Sequence, residues 1–193
     1  PILVPKGTRL RGYLSSILSS HRNVNSVSFG NTVWKSIIWP SISHGAAVWV
    51  CNTKESEAFL KSLQYAMAKA ILQVNSSPSM AATIGELGWL PCNVYLEHIR
   101  VKYFHRMKFD LPDTRLCKQI FDSLFEPNSG NTTDAWPYVD EMRKTFNNVC
   151  MDRVFRSTNP NWLRRFAKLS IEGYKVHFFQ EIDEKRSLNW YRS

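Results

Sequence analysis

Glycine and proline are scarce in this sequence, which has 8 glycines and 9 prolines among 193 residues. An all-β sandwich needs many tight turns, so this scarcity argues against that class and favours long helices. A long apolar run is also missing, because the best candidate, residues 36–50, is interrupted by Pro40 and His44. That run is too short and too polar to cross a bilayer, and we expect no membrane partner.

Cysteine occurs only as four widely separated residues, with no Cys-x-x-Cys pair and no clustered histidines. This spacing indicates neither a zinc site nor a tight disulfide framework, and reduced, buried thiols are the simplest interpretation. The sequence opens at Pro1 without an apolar leader. We therefore expect an internal piece of a longer protein and an intracellular location, in the nucleus or the cytoplasm.

Signatures of catalysis are absent as well. The sequence has no Gly-x-Ser-x-Gly elbow, no Gly-Lys-Ser/Thr phosphate loop, no His-Glu-x-x-His motif and no dinucleotide-binding glycine fingerprint. No Asp-Asp pair is available for the two-metal centre of a polymerase. His98 and His105 are two helical turns apart, too far for simple chelation, and we interpret them as solvated surface residues. No catalytic residue, metal site or cofactor is predicted in this chain.

The sequence does contain an uneven excess of positive charge. Its 25 lysines and arginines outnumber 16 acids, which gives a net charge of +9. The first acidic residue is Glu55, so the preceding 54 residues carry cations with no carboxylate to offset them. A one-sided excess of this kind is typical of a polyanionic partner or of a solvated face, and we favour nucleic acid.

Apolar residues recur at helical spacing through most of the chain. The clearest helix covers residues 54–74, with one apolar stripe that consists of Leu60, Leu63, Met67, Ala70, Ile71 and Val74. Pro40 is expected to kink or break the second helix. The remaining predicted helices cover residues 9–20, 31–50, 78–87, 91–107, 113–125, 134–154 and 161–188.

These helices predict an all-α fold, a multi-helix bundle with a smaller C-terminal helical extension. The polar stretch 126–133 is the best linker, so we expect a helical domain over 1–126 and a C-terminal helical region over 127–193. In the helix over 113–125, Asp113 is the expected cap. The apolar stripe of that helix is expected to be buried and consists of Leu116, Ile120 and Leu124.

Cations at helical spacing supply candidate nucleic-acid contacts. Lys61, Tyr65 and Lys69 recur every four residues opposite the apolar stripe, so two ammonium groups flank one aromatic ring. Such a strip can track a phosphate backbone while the ring stacks on a base or sugar. An ordinary solvated helix face is the alternative for each strip. The predicted binding residues are Lys35, Lys61, Tyr65, Lys69, Lys102, Arg106, Arg164, Lys168 and Lys175.

Three stretches form a recognisable pattern. They are residues 34–45 (WKSIIWPSISHG) with Val48-Trp49, the Gln-containing residues 64–72, and residues 85–91 (GELGWLP). Together they resemble the region after the polymerase palm in reverse transcriptases of non-LTR (LINE-type) retrotransposons. His44 stands where that family usually has Tyr before glycine. Residues 185–191 are similar to the Lys-x-Ser-Leu-x-x-Tyr ending of such proteins.

The resemblance is clearest over about residues 30–110 and implies the thumb and post-thumb helical linker of an RNA-directed DNA polymerase. It implies an RNA/DNA template-primer and the rest of the parent polyprotein as partners. The family's Tyr-x-Asp-Asp motif is absent, so no catalytic residue is carried over and enzymatic activity of this chain stays an open question. Divalent metal (Mg) is expected only in the palm of the parent.

A thumb has to hold a template-primer hybrid without reading its sequence, which calls for helices with buried apolar stripes and cationic outer faces. Trp34 and Trp49 are expected in the core. Trp89 and Pro91 are expected to fix the angle between helical layers. The alternative function is a non-catalytic helical protein-interaction or adaptor domain.

Overall fold

The computed structural model describes residues 8–13, 16–17, 26–47, 54–74, 78–125, 137–151, 153–154 and 157–184. Over these ranges the fold is all-α, as predicted, and the described residues form helices and no strand. No described helix combines the length and the apolarity that crossing a bilayer requires.

The helices are named here in chain order, and two of them continue into a turn of π-helix. Besides a helical stretch at residues 8–13, the elements are α1 (Ser26–Val33), π1 (Trp34–Ile38), α2 (Trp39–Ser43), α3 (Lys54–Leu72), α4 (Met80–Glu86), α5 (Cys92–His105), π2 (Arg106–Asp110), α6 (Leu116–Phe125), α7 (Pro137–Asn148) and α8 (Trp162–Glu184).

The chain divides into two compact units. Unit 1 comprises Pro1–His44, Cys51–Tyr95 and Val176–Ser193, and unit 2 comprises Gly45–Val50 and Leu96–Lys175. The predicted boundary between residues 126 and 127 lies outside the described residues. The division into a helical domain and a C-terminal region therefore stays a prediction.

Pro40 does not end the helix that contains it. Elements α1, π1 and α2 follow one another without a break, and the Trp39 N–H donates to the Trp34 carbonyl five residues earlier. Proline has no N–H and its ring crowds the carbonyl four residues back, so a wider turn just before it accommodates the ring within the helix. The helix ends at Ser43 rather than at residue 50.

In unit 1, the large residues of the predicted α3 stripe are buried, with Leu60, Leu63, Met67 and Ile71 at 6% exposure or less. The other two residues of the stripe, Ala70 and Val74, are half-buried. Helix α1 crosses α3 closely at Gly30, where an added Cβ would lie 2.7 Å from Cγ1 of Ile71. A larger residue at position 30 would push the two helices apart, so this glycine sets their separation.

In unit 2, aromatic rings from four helices form the core. Phe104 of α5 lies edge-on to Phe121 of α6 and to Phe146 of α7, with centroid distances of 5.6 and 5.5 Å. Phe146 also contacts Trp162 and Phe166 of α8 at 5.4 and 5.7 Å. Edge-to-face packing at these distances stabilises aromatic clusters beyond simple area burial.

Helix α6 differs from its prediction in both its start and its buried face. It begins at Leu116, and the Arg115 carbonyl accepts the N–H groups of Lys118 and Gln119. Asp113 is therefore not the cap. Leu116 and Ile120 are 71% and 50% exposed. The helix instead turns Phe121 toward the aromatic core, because only one of its two apolar stripes can face inward.

Candidate nucleic-acid interface

Residues from three separate parts of the sequence, Trp34 of π1, Gln64 of α3 and Trp89, meet in unit 1. Gln64 of α3 is 1% exposed, and its side chain bonds the backbone on both sides of Pro91. Its Nε2 donates to the Leu90 carbonyl at 2.8 Å, and its Oε1 accepts the Cys92 N–H at 3.0 Å. One buried amide thus satisfies a donor and an acceptor of the connection between α4 and α5, which we call the joint (residues 87–92).

Tryptophan stacking completes the joint. Trp34 of π1 lies on Trp89 with centroids 4.6 Å apart, and both rings are buried. The Trp89 Nε1–H donates to Oδ1 of Asn31. Gly88, at φ +62°, ends α4 with the N–H of Trp89 bonded to the Ile84 carbonyl. Trp34 is therefore a core residue as predicted, whereas Trp49 lies outside the described residues.

On α3, the predicted strip is only partly open to solvent. Lys61 is exposed but pairs with Glu57 at 2.8 Å. Tyr65 is half-buried, and its hydroxyl donates to the Pro78 carbonyl. The Lys69 ammonium lies 5.5 Å from the centroid of the Tyr65 ring. A base stacking on Tyr65 would have to use the part of the ring that Lys69 leaves uncovered, while Lys61 is the most accessible contact of the three.

Lys35 occupies π1 at the surface of unit 1. It is exposed, as are the following residues Ser36 and Ile37, while Trp34 and Ile38 on either side are buried. The stacking of Trp34 on Trp89 therefore fixes the backbone from which the Lys35 side chain extends.

In unit 2, the two histidines of α5 pack against α8, which corrects the prediction that they are solvated. The His98 ring lies 5.7 Å from Phe166, and the His105 ring lies 5.3 Å from Trp162. Burial, followed by the charge of Lys102, lowers the pKa of His98. Both histidines sit at the contact between α5 and α8 because flat, weakly polar rings pack well against aromatic edges.

Both helices of this contact also carry exposed cations. Lys102 lies between the two histidines on α5, one turn from each, and Arg106 follows it on π2; both are exposed. On α8, Arg164, Lys168 and Lys175 are exposed on the side opposite Trp162 and Phe166. Unit 2 therefore carries five of the nine predicted residues on helices that share one aromatic core.

On α8, the exposed cation Arg165 was not predicted as a binding residue, and the predicted residue Lys168 pairs with Glu172 on the same helix. Arg165 is exposed beside Arg164 and extends the positive surface, and its adjacency to Arg164 was the available signal. Lys168 lies 3.8 Å from Glu172, but its side chain is 76% exposed. An exposed pair of this kind is weak and exchanges readily for a phosphate.

Other cations of unit 2 are engaged inside the fold. Arg100 is buried and its guanidinium bonds Glu141 at 2.9 Å. Lys118 is buried and bonds Asp122 at 2.7 Å. The net charge of the chain consequently overstates the charge that a partner can reach.

Across the described ranges, no three His, Cys, Asp or Glu side chains come together as a metal site. Cys92 is buried, but Cys117 and Cys150 are exposed, which corrects the expectation of buried thiols. No family model, curated protein or solved structure matches this chain.

Proposed function

We propose that this chain is the thumb and post-thumb helical linker of a LINE-type reverse transcriptase, and that it grips the RNA/DNA template-primer. The observation that carries this proposal is the outer face of α8, where Arg164, Lys168 and Lys175 are exposed opposite a buried aromatic face. Synthesis and its magnesium belong to the palm of the parent polyprotein.

The dimensions of the α8 face suit a phosphate backbone. Residues 164 and 175 are separated by about 16 Å along the helix axis. That length corresponds to about five nucleotide steps of one strand. Because the opposite side of α8 packs on Phe146 and on the α5 histidines, the cations are held on a rigid support. A sequence-independent grip needs this combination of fixed position and exposed charge.

The joint in unit 1 supports the family resemblance. The Trp-rich stretch, the Gln-containing helix and the Gly-Trp-Leu-Pro segment come from three separate parts of the sequence and contact one another directly. Their role in this fold is to fix backbone geometry.

The proposal is tested by fluorescence anisotropy of a short labelled RNA/DNA hybrid at increasing salt concentration. The variant carries Arg164→Glu, Lys168→Glu and Lys175→Glu together. Each lost phosphate contact lowers the salt-dependence slope by about 0.9, so we expect a decrease of about 2 to 3 and a large loss of affinity at low salt. The matched control carries Arg143→Glu and Lys144→Glu, two exposed cations of α7 outside the predicted set.

The result must distinguish local contacts from general charge. If the variant and the control lose the same binding free energy for each reversed charge, the α8 face has no special role in binding the hybrid. For α3, Lys61→Glu should weaken binding and Glu57→Gln should strengthen it, because Glu57 competes with phosphate for Lys61. If both α3 variants leave affinity unchanged, the α3 strip does not contact the hybrid.

A second function, a protein-interaction or adaptor domain, is favoured by the exposed apolar residues Leu116 and Ile120 of α6. Exposed side chains of this size next to each other on one helix face are typical of a surface that a protein covers. Absence of hybrid binding at low salt would favour this function. An in-frame Tyr-x-Asp-Asp in the upstream coding sequence would instead support the polymerase parentage.

A further inference from the structure

A row of four aromatic rings runs from the core of unit 1 to its surface. Trp89 and Trp34 stack with centroids 4.6 Å apart, and each is 2% exposed. The Trp39 centroid follows at 6.1 Å from that of Trp34, and the Tyr95 centroid at 5.2 Å from that of Trp39. These two outer residues are half-buried, so each keeps part of its surface in solvent. The inner pair belongs to the joint, whereas the outer pair offers an aromatic surface outside it.

Both outer rings extend from an ordered backbone. Trp39 begins α2 directly after π1, and its N–H donates to the Trp34 carbonyl. Tyr95 lies in the first turn of α5, and its N–H donates to the Pro91 carbonyl of the joint. A ligand that stacks on rings held in this way does not have to order the backbone that carries them, which lowers the cost of binding.

A cation lies beside the outer rings. Lys35 is exposed and precedes Trp39 by four residues, about one turn of the continuous helix that passes through π1. The first acidic residue of the chain is Glu55, so residues 26–47 contain no carboxylate that competes for the Lys35 ammonium. An aromatic surface next to an uncompensated cation is the combination that binds an unstacked base together with its phosphate.

We propose that Trp39 and Tyr95 form a stacking platform for an unpaired base at the single-stranded end of the template, with Lys35 on the adjoining phosphate. This inference rests on the proposed function, because it names the part of the template-primer that unit 1 contacts. Bases inside a hybrid stack on one another, so only a strand that extends beyond the hybrid presents a free base face. Every base has a π face, so the platform accepts any template sequence.

The experiment measures the affinity of the full chain for three hybrids by fluorescence anisotropy. One hybrid is blunt, one has a short unpaired template extension, and one has an abasic extension with the same number of phosphates. We expect the base-bearing extension to bind about fivefold or more tightly than the abasic one, because their only difference is the stacking of bases. Trp39→Leu keeps an apolar contact with Trp34 but lacks the ring, and it should bind both extensions equally. Lys35→Met should weaken both extensions and keep their ratio, because it removes only the phosphate contact.

The matched protein control is Ile37→Ala, since Ile37 is 42% exposed between Lys35 and Trp39 and has no ring. It should keep the full preference for the base-bearing extension. Unchanged affinity for the blunt hybrid and unchanged helical circular dichroism show that Trp39→Leu is folded. Equal affinity of the wild-type chain for both extensions, or a preference that persists in Trp39→Leu, would overturn the platform.

Failure of the proposed function has a different signature, namely no binding of the blunt hybrid even at low salt. The free single strand and its abasic counterpart then test the platform directly. A preference for the base-bearing strand that Trp39→Leu abolishes would support the platform without the template-primer function. The absence of such a preference would overturn both.

Discussion

The joint of unit 1 and the aromatic core of unit 2 are stabilised in different ways. At the joint, residues 89–91 have no regular structure, and a single buried glutamine from another helix bonds the backbone there. In unit 2, Phe146 packs edge to face against Phe104, Trp162 and Phe166 between complete helices. The first arrangement depends on a specific polar group, whereas the second depends on shape and volume.

This difference determines how freely residues can be exchanged in each region. Backbone groups in an irregular segment must find partners, and few side chains can bond a donor and an acceptor at once. A core of rings tolerates exchange of one large apolar residue for another as long as its volume is kept. The requirement is therefore strictest at Gln64, while the cations that we propose for binding need only exposure and spacing.

The largest expected effect is on the aromatic core. Phe146 is fully buried and contacts three other rings, so Phe146→Ala should lower the free energy of unfolding by about 4 kcal/mol. Urea denaturation measures this loss, and hydrogen exchange should accelerate in α7 and in the first half of α8.

The matched control for this variant is Phe179→Ala, since Phe179 is 54% exposed on α8. Exposed substitutions of this kind change stability by about 0.5 kcal/mol or less. If the two phenylalanine variants lose similar free energies, the ring cluster does not stabilise unit 2 as the packing indicates.

The sequence predicts the helices better than it predicts their orientation. The stripe of α3 has large apolar residues on one side only, and its burial is predicted correctly. On α6, a stripe through Leu116 and Ile120 competes with one through Phe121, and periodicity alone does not decide between them. The choice depends on Phe104 of another helix, which is a tertiary contact.

The same limit applies to the candidate site. Exposure of Lys102, Arg106 and the α8 cations follows from their positions opposite apolar residues. The engagement of Tyr65 with Pro78 and the packing of His98 on Phe166 join residues 13 and 68 positions apart. Helical spacing reports only on neighbours within a few turns, so contacts of this range are invisible to it.

A smaller effect is expected at the joint of unit 1. Gln64→Leu keeps the size of the side chain but leaves the Leu90 carbonyl and the Cys92 N–H without their partner, which should cost about 3 kcal/mol. The control is Gln119→Leu, because Gln119 is exposed and bonds only one backbone carbonyl, that of Asp113, at 3.2 Å in this structure. Thermal unfolding measures both, and equal shifts would show that the buried amide has no special role.

The smallest effect is pH-dependent and lies at the α5–α8 contact. In the folded chain the pKa of His98 lies below its ordinary value of 6.5, mainly because burial disfavours the imidazolium and secondarily because Lys102 is close. The unfolded chain therefore binds a proton at His98 more readily, and stability should decrease as the pH falls below 6.5 toward the folded-state pKa.

His98→Phe keeps an aromatic ring beside Phe166 and removes the titration, so its stability should depend less on pH in this window. Lys102→Met should reduce the dependence by a smaller amount, because its charge is the secondary cause of the lowered pKa of His98. Urea denaturation from pH 5 to 8 measures the free energy of unfolding and its slope against pH. An unchanged slope in His98→Phe would show that a group other than His98 takes up the proton on unfolding.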